Sequence, residues 1–196
     1  MLQFMLERNR AEPVALDTIS KLKYLVQVYK PDVVFLLETL ATSNKTDELR
    51  YVLGFDSCFT VNREGRGGGG IALLWRSSYN CSIVNFSQNH INVQVTDQVN
   101  GNWRLTGFYG FPNGVTDAGL IDVHMEGHPL TWFKSLGTIQ AVKERLDRAL
   151  ANDGWFQLFP NAILENLPAL VSDHYPILLI REPGNNNMSV KNCLEK

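Results

Sequence analysis

Apolar positions along this chain recur on two periods, and the switches between them mark its elements. Over positions 13–29, Val14, Ile19, Leu22, Val26 and Tyr29 keep helical spacing, with Asp17 early and Lys21 and Lys23 later, which predicts a surface helix with one packed face. Lys30-Pro31 ends it, because proline has no N–H for the helix ladder and biases its predecessor towards extended backbone. Asp32-Val33-Val34-Phe35-Leu36-Leu37 then runs apolar without alternation, as a strand buried on both faces does, and Glu38-Thr39 stands at its carboxyl end. Positions 47–53 predict a short helix closed by Gly54, and positions 55–61 a strand.

A glycine-rich loop, Asn62-Arg63-Glu64-Gly65-Arg66-Gly67-Gly68-Gly69-Gly70, leads into the strand pattern Ile71-Ala72-Leu73-Leu74-Trp75. Such loops cradle phosphates when they open a helix; this one opens a strand, so the phosphate-loop mechanism is excluded, and Arg63 or Arg66 is left as a side chain that brushes a ligand. From Cys81 to Tyr109 the period is two. Ile83, Ile91, Val93, Val95, Trp103, Leu105 and Phe108 are separated by polar turns, and Asn100-Gly101 between two such runs is a hairpin signal, so this region predicts antiparallel sheet.

Further on, Leu120-Ile121-Asp122-Val123 and Pro129-Leu130-Thr131-Trp132-Phe133 read as strands either side of a turn at Gly127. Positions 143–152 read as strand passing into a short helix, and Trp155, Phe156, Leu158 and Phe159 as core-filling aromatic and apolar groups before Pro160. Ile177-Leu178-Leu179-Ile180 is a last buried strand. After Arg181 the chain is polar and turn-rich, so the expected organisation is one domain over positions 1–181 and a tail or linker over 182–196.

Composition changes the picture in three ways. With 196 residues, 44% of them hydrophobic and 10% aromatic, the chain is long enough to bury a real core as one domain. A net charge of −2 supplies no overall basic footprint, so any nucleic-acid binding has to be local or metal-assisted. The three cysteines, Cys58, Cys81 and Cys193, are widely spaced with no C-x-x-C pair, which reads as reduced and intracellular. The opening Met-Leu-Gln-Phe-Met-Leu is too short for a signal-peptide core, and no run reaches membrane-spanning length, so no membrane partner is expected.

The candidate chemistry centres on Val171-Ser172-Asp173-His174-Tyr175-Pro176 at the mouth of the last strand. Ser-Asp-His before proline is ordinary turn chemistry. It is equally a carboxylate beside a group that titrates near neutrality, a pair able to activate water. Glu38 at a strand tip divides the same way, between a solvated glutamate and a rigidly held carboxylate aimed into a cleft.

Taken in order, several segments resemble the endonuclease/exonuclease/phosphatase superfamily, and more closely the apurinic-endonuclease-like domain at the front of plant LINE-type (non-LTR) retrotransposon proteins. They are positions 30–39, the glycine-rich loop into 71–75, Thr106-Gly107-Phe108-Tyr109-Gly110, Gly119-Leu120-Ile121-Asp122 with Leu130-Thr131-Trp132, Glu144-Arg145-Leu146-Asp147-Arg148-Ala149-Leu150-Ala151-Asn152, and Ser172-Asp173-His174. The resemblance implies an α/β (α+β) four-layered sandwich, two mostly antiparallel mixed sheets face to face with outer helices, hydrolysing DNA phosphodiesters with Mg²⁺ or Mn²⁺. It implies Glu38 and Asp173 as metal or water ligands, His174 as the group bonding the phosphate or its water, and Asp147 as the carboxylate orienting it. Tyr109 would donate its phenol to a phosphate oxygen. No residue is assigned to nucleic-acid binding, and residence in the nucleus is an expectation of the resemblance alone.

The chain departs from that pattern in two places. The family's Gly-Asp-Phe-Asn segment has no counterpart, since no Asp here is followed by Asn two positions on, and a deletion near positions 113–117 is expected. The family's first strand ends in Trp-Asn, for which Asn9 is the nearest candidate. Losing a central strand should leave backbone groups unpaired at about 1–3 kcal/mol each. The sequence therefore points to a hydrolase with weak or lost activity, its alternative being a non-catalytic nucleic-acid- or protein-binding remnant of a retrotransposon protein; a phosphatase for small substrates is the near neighbour of the first.

Overall fold

The apolar run after Pro31 forms the spine of the structure, a computed structural model that describes residues 1–5, 16–39, 43–62, 70–110, 119–135, 139–168 and 173–182. In chain order the first elements are β1 (Leu2–Met5), α1 (Leu16–Tyr29), β2 (Val33–Thr39), α2 (Ser43–Leu53), β3 (Ser57–Val61) and β4 (Gly70–Trp75). The meander β5 (Asn80–Ser87), β6 (His90–Asp97) and β7 (Gly101–Phe108) follows. Short pieces come next: β8 (Ile121–Asp122), β9 (Met125–Glu126), β10 (Trp132–Lys134), β11 (Val142–Glu144), β12 (Leu150–Ala151) and α3 (Asp153–Leu158). β13 (Ile163–Asn166) and β14 (Ile177–Ile180) complete the order.

Seven strands make a mixed sheet in the order β3-β4-β2-β1-β14-β13-β9, and β5-β6-β7 make an antiparallel sheet. Alternation along β2 and β4 divides the core between two layers. Val34, Leu36, Ala72 and Leu74 meet Leu22, Leu25 and Val26 of α1 and Leu49 and Leu53 of α2. Val33, Phe35, Leu37, Ile71 and Leu73 turn the other way, onto Ile91, Val93, Val95, Trp103 and Leu105 of the meander. A strand covered on both faces gains nothing from polar alternation, which is why β2 and β4 read as continuous apolar runs. Each fully buried Leu or Phe in these layers contributes about 1.5–3 kcal/mol of transfer free energy. The result is an α/β sandwich of two face-to-face sheets, with α1 and α2 outside the larger one.

Three details go beyond the periodicity reading or differ from it. The chain's opening, to which the periodicity assigns no element, is a strand: β1 sits inside the large sheet, parallel to β2 and antiparallel to β14. Four residues are too few for a period to show, and the pairing partners supply what local sequence cannot. Over positions 143–152 no helix forms; β11 ends at Glu144, residues 145–149 run extended without strand pairing, and α3 begins only at Asp153. Asn152 sets that start, its Oδ1 accepting from the Trp155 N–H at 2.9 Å as an N-cap. The Trp155-to-Phe159 segment is thus largely helical, with Phe159 fully buried and Leu158 partly exposed.

Cys58 and Cys81 are free thiols, and burial pushes the Cys81 thiol up to about 11. Among the described residues no helix is long and apolar enough to cross a membrane. Asn9, Arg63, Arg66, the junction at 113–117 and the tail from 183 lie outside the described residues.

Candidate active site

Three adjacent strands of the large sheet bring the site together. β2 lies beside β1 and β1 beside β14, and because β14 runs against the other two, the carboxyl end of β2 and the approach to β14 fall at the same end of the sheet. Glu38 is on the first, Gln3 on the second, and His174 just before the third.

Glu38 sits in an irregularity. The β2–β4 register shifts between Leu36 and Thr39, and Glu38 has φ of 54°. Left-handed backbone at a residue with a Cβ costs of order 1–3 kcal/mol. Bulges of this kind redirect a side chain at the edge of a site. Here the carboxylate meets Tyr109, just past the end of β7, whose hydroxyl donates to Oε1 at 2.6 Å. The sequence placed both residues at strand ends; the bond between them was not foreseen.

Asp147 lies on the extended stretch after β11 and is 8% exposed. Its Oδ2 takes the His174 Nδ1 contact at 2.9 Å and its Oδ1 accepts from Gln3 Nε2 at 3.0 Å. A carboxylate can only accept, so His174 Nδ1 carries the proton and Nε2 is the nitrogen turned over to chemistry.

Thr131, fully buried, fixes this pair in place although nothing in its own sequence context marks it for that role. Its N–H donates to Glu144 O at 2.9 Å, its carbonyl accepts from the Tyr175 N–H at 2.8 Å, and its Oγ1 accepts from the N–H groups of Leu146 and Asp147 at 3.0 and 2.8 Å. One side chain and one peptide thereby hold the segment carrying Asp147 against the segment carrying His174. Thr131→Val keeps the shape and removes the acceptor. Two buried N–H groups are then orphaned, at about 1–3 kcal/mol each. The melting temperature should fall by roughly 4–24 °C, at 2–4 °C per kcal/mol for a chain of this size; a thermal melt within about 1 °C of wild type would refute the hub role.

Asp173 is placed differently. Its Oδ2 accepts from Trp132 Nε1 at 2.8 Å and its carbonyl accepts from the Phe133 N–H, so it buttresses β10. Glu38, Tyr109, Asp147 and His174 all line one cleft of about 1260 Å³, and Asp173 is not part of that lining. Among the described residues no group of three His, Cys, Asp or Glu side chains could cage a metal. Of the carboxylates lining the cleft, Asp147 is held by His174 and Gln3 and Asp122 by Arg145 and Arg148, which leaves Glu38 as the donor for a hard ion such as Mg²⁺ that keeps most of its waters and takes the rest of its shell from substrate phosphate.

The cleft runs between the outer edge of β7, which has no strand partner among the described residues, and the wall formed by residues 145–149 with β12 and β8. An imidazole–carboxylate pair, a phenol and a further carboxylate thus meet at one end of a two-sheet sandwich, a constellation of groups that can exchange protons and donate hydrogen bonds.

Comparison with known proteins agrees on the class. The sequence profile of the endonuclease/exonuclease/phosphatase family matches residues 14–133, and the chain belongs to that family. Among solved structures it is similar to the endonuclease domain of TRAS1, a telomere-specific non-LTR retrotransposon, at 14% identity over 91% of this chain and 95% of that one, with a TM-score of 0.61. It is similar to TDP2 of D. rerio, solved with a single-strand DNA product, at 16% identity over 90% and 95%, with a TM-score of 0.62. An endonuclease/exonuclease/phosphatase family protein of Bacteroides thetaiotaomicron matches at 10% identity over 90% and 94%, with a TM-score of 0.60. Identities this low speak to the fold. Comparison with curated protein sequences gives no match.

Proposed function

We propose that this chain is a divalent-metal-dependent phosphodiesterase acting on DNA, of the kind that stands at the front of plant LINE-type retrotransposon proteins, with slow turnover. The observation that carries the reading is the shared cleft: His174 hydrogen-bonded to a buried Asp147 faces the same space as Glu38 and its Tyr109 partner. Family membership and DNA-processing neighbours support the substrate class.

The roles follow from the bonds. Asp147 holds the imidazole with Nδ1 protonated, so Nε2 can take a proton from an attacking water or give one to a phosphate oxygen. Tyr109, bonded to Glu38 at rest, stands ready to donate to a phosphate oxygen as negative charge builds there. Glu38 would hold the Mg²⁺, which when bound supplies electrostatic stabilisation of that charge. Slow turnover is proposed because the sequence lacks the Asp-x-Asn that would position water, and because Asp173 is engaged by Trp132.

The test is single-turnover cleavage, enzyme in excess, on plain, nicked and abasic duplex DNA with Mg²⁺. Slow cleavage that stops on chelation and falls at least about 10²-fold in His174→Ala is expected. Equal rates for the two proteins, or indifference to chelation, would sink the assignment. If neither protein cleaves, the second reading stands, a non-catalytic binding remnant.

A further inference from the structure

The hairpin turn between β5 and β6 carries side chains that the cleft chemistry does not use. Ser87 Oγ lies 2.7 Å from His90 Nδ1, and His90 Nε2 lies 3.1 Å from Asn85 Oδ1. An amide oxygen only accepts, so His90 Nε2 carries a proton; in the neutral ring Nδ1 is then the acceptor, and the Ser87 hydroxyl donates to it. The Asn89 N–H donates to Ser87 Oγ at 3.2 Å, which occupies a lone pair of the hydroxyl and leaves its proton for the imidazole. Hydroxyl, imidazole and side-chain amide in that order follow the wiring of hydrolases with a Cys-His-Asn set, with oxygen in place of sulfur.

A bulge in β5 brings the three together. Ile83 pairs with Val93, but Asn85 and not Val84 pairs with Asn92, so Val84 is the extra residue. Along an unbroken strand Asn85 and Ser87 would share the core-facing side of Ile83. One added residue turns both onto the outer face of the sheet beside His90, and sends Phe86 inwards to stand against Phe59. That face supplies two further groups. Half-buried Phe108 of β7 stands opposite His90 in the register, an apolar surface beside the imidazole. Asn92 accepts from the Thr106 hydroxyl through Oδ1 at 3.2 Å, and its amide protons stay free among the described residues. Asn85 and Ser87 are exposed, so small molecules reach them.

We propose that Ser87, His90 and Asn85 form a second nucleophilic site, at which the Ser87 hydroxyl takes an acyl group from a small activated ester. Ser87 Oγ attacks the ester carbonyl carbon as its proton passes to His90 Nδ1. The bond from that carbon to the leaving oxygen then breaks, and the imidazolium returns the proton to the departing group. The products are a Ser87 acyl ester and a free alcohol, and water activated by the same imidazole hydrolyses the acyl ester to the acid. Asn85 is a positioning residue, fixing the ring and its tautomer. Asn92 Nδ2 is the free donor on that face for the oxyanion. None of these four residues lines the catalytic cleft, so the proposal goes beyond the phosphodiesterase reading and does not rest on it.

The experiment treats the full chain with p-nitrophenyl acetate in mildly alkaline buffer, following nitrophenol release and mapping the acetyl group by peptide mass. A burst of about one equivalent with the acetyl on Ser87 is expected. Ser87→Ala should abolish both, and His90→Gln should slow acylation about 10²-fold. Asn85→Leu should slow it roughly tenfold and deplete the Nε2-protonated tautomer seen by NMR, while Asn85→Asp, which keeps an acceptor oxygen, should restore both. Ser82→Ala removes an exposed hydroxyl from the same strand and should change nothing. Because a loosened turn would also slow acylation, Ser87→Cys supplies a gain of reactivity. Its thiol should be alkylated by iodoacetamide at least about tenfold faster than that of Ser82→Cys, and adding His90→Gln should remove the lead. Acetyl confined to lysines, an undiminished burst in Ser87→Ala or His90→Gln, or no lead for Ser87→Cys would each overturn the proposal.

Discussion

Asp147→Asn should lower the single-turnover cleavage rate by about 10²–10⁴-fold with little loss of fold. The reason lies in the two partners of the carboxylate. Gln3 Nε2 donates to Oδ1, so in the variant the amide oxygen stays on that side and the amide nitrogen turns to His174. Two donors cannot face each other, so the imidazole must change tautomer: Nδ1 becomes the acceptor and the proton moves to Nε2. A neutral ring with Nε2 protonated cannot accept a proton from water at that nitrogen. Steric disruption is small because the replacement is nearly isosteric. The check is a rate on the same DNA together with an NMR assignment of the His174 tautomer; an unchanged rate with an unchanged tautomer would remove Asp147 from the mechanism.

Gly107→Ala should be among the most damaging single-methyl changes available in this chain. A Cβ at that position would stand 2.4 Å from Phe35 Cε2, 2.5 Å from Cδ2 and 2.6 Å from Cζ. Phe35 is fully buried at the centre of β2, so its ring has no empty space to enter. Overpacking of this kind costs about 1–3 kcal/mol and occasionally more, which for a chain of this length lowers the melting temperature by roughly 2–12 °C. Function should suffer too, since Tyr109 follows Gly107 by two positions and Glu38 follows Phe35 by three, so forcing the sheets apart here strains the Tyr109–Glu38 bond. Denaturant unfolding measures the cost, and a smaller ring-free partner tests the cause: Phe35→Leu added to Gly107→Ala should recover part of it. A Gly107→Ala protein as stable as wild type would show that the sheets are not held at this distance.

Much of the site was legible in the sequence. Glu38 could be singled out because it ends a clear strand pattern and His174 because it precedes one next to proline, while Tyr109 was given its role by the resemblance. Asp147 was legible only through resemblance, since an extended stretch without pairing has no period of its own. Thr131 was quoted only inside the Leu130-Thr131-Trp132 resemblance, without a role, and Gln3 was passed over. A buried threonine in an apolar stretch reads as packing, and a glutamine three residues from the start reads as surface, until the partners they bond across 15 or 16 and 144 positions are known.

The amino-acid order determined by itself what short-range physics can carry: the two-faced burial of β2 and β4, the alternation of the meander, the turn at Asn100-Gly101 and the apolar face of α1 all follow from local period and backbone preference. Only the tertiary structure decided that the first four-residue strand lies between β2 and β14, that Glu38 sits on a left-handed bulge bonded to Tyr109, and that Asp173 turns to Trp132 while His174 turns to Asp147. These are pairings between residues tens of positions apart, whose free energy exists only once the sheets have closed over the shared core. A chain read one window at a time has no access to that term.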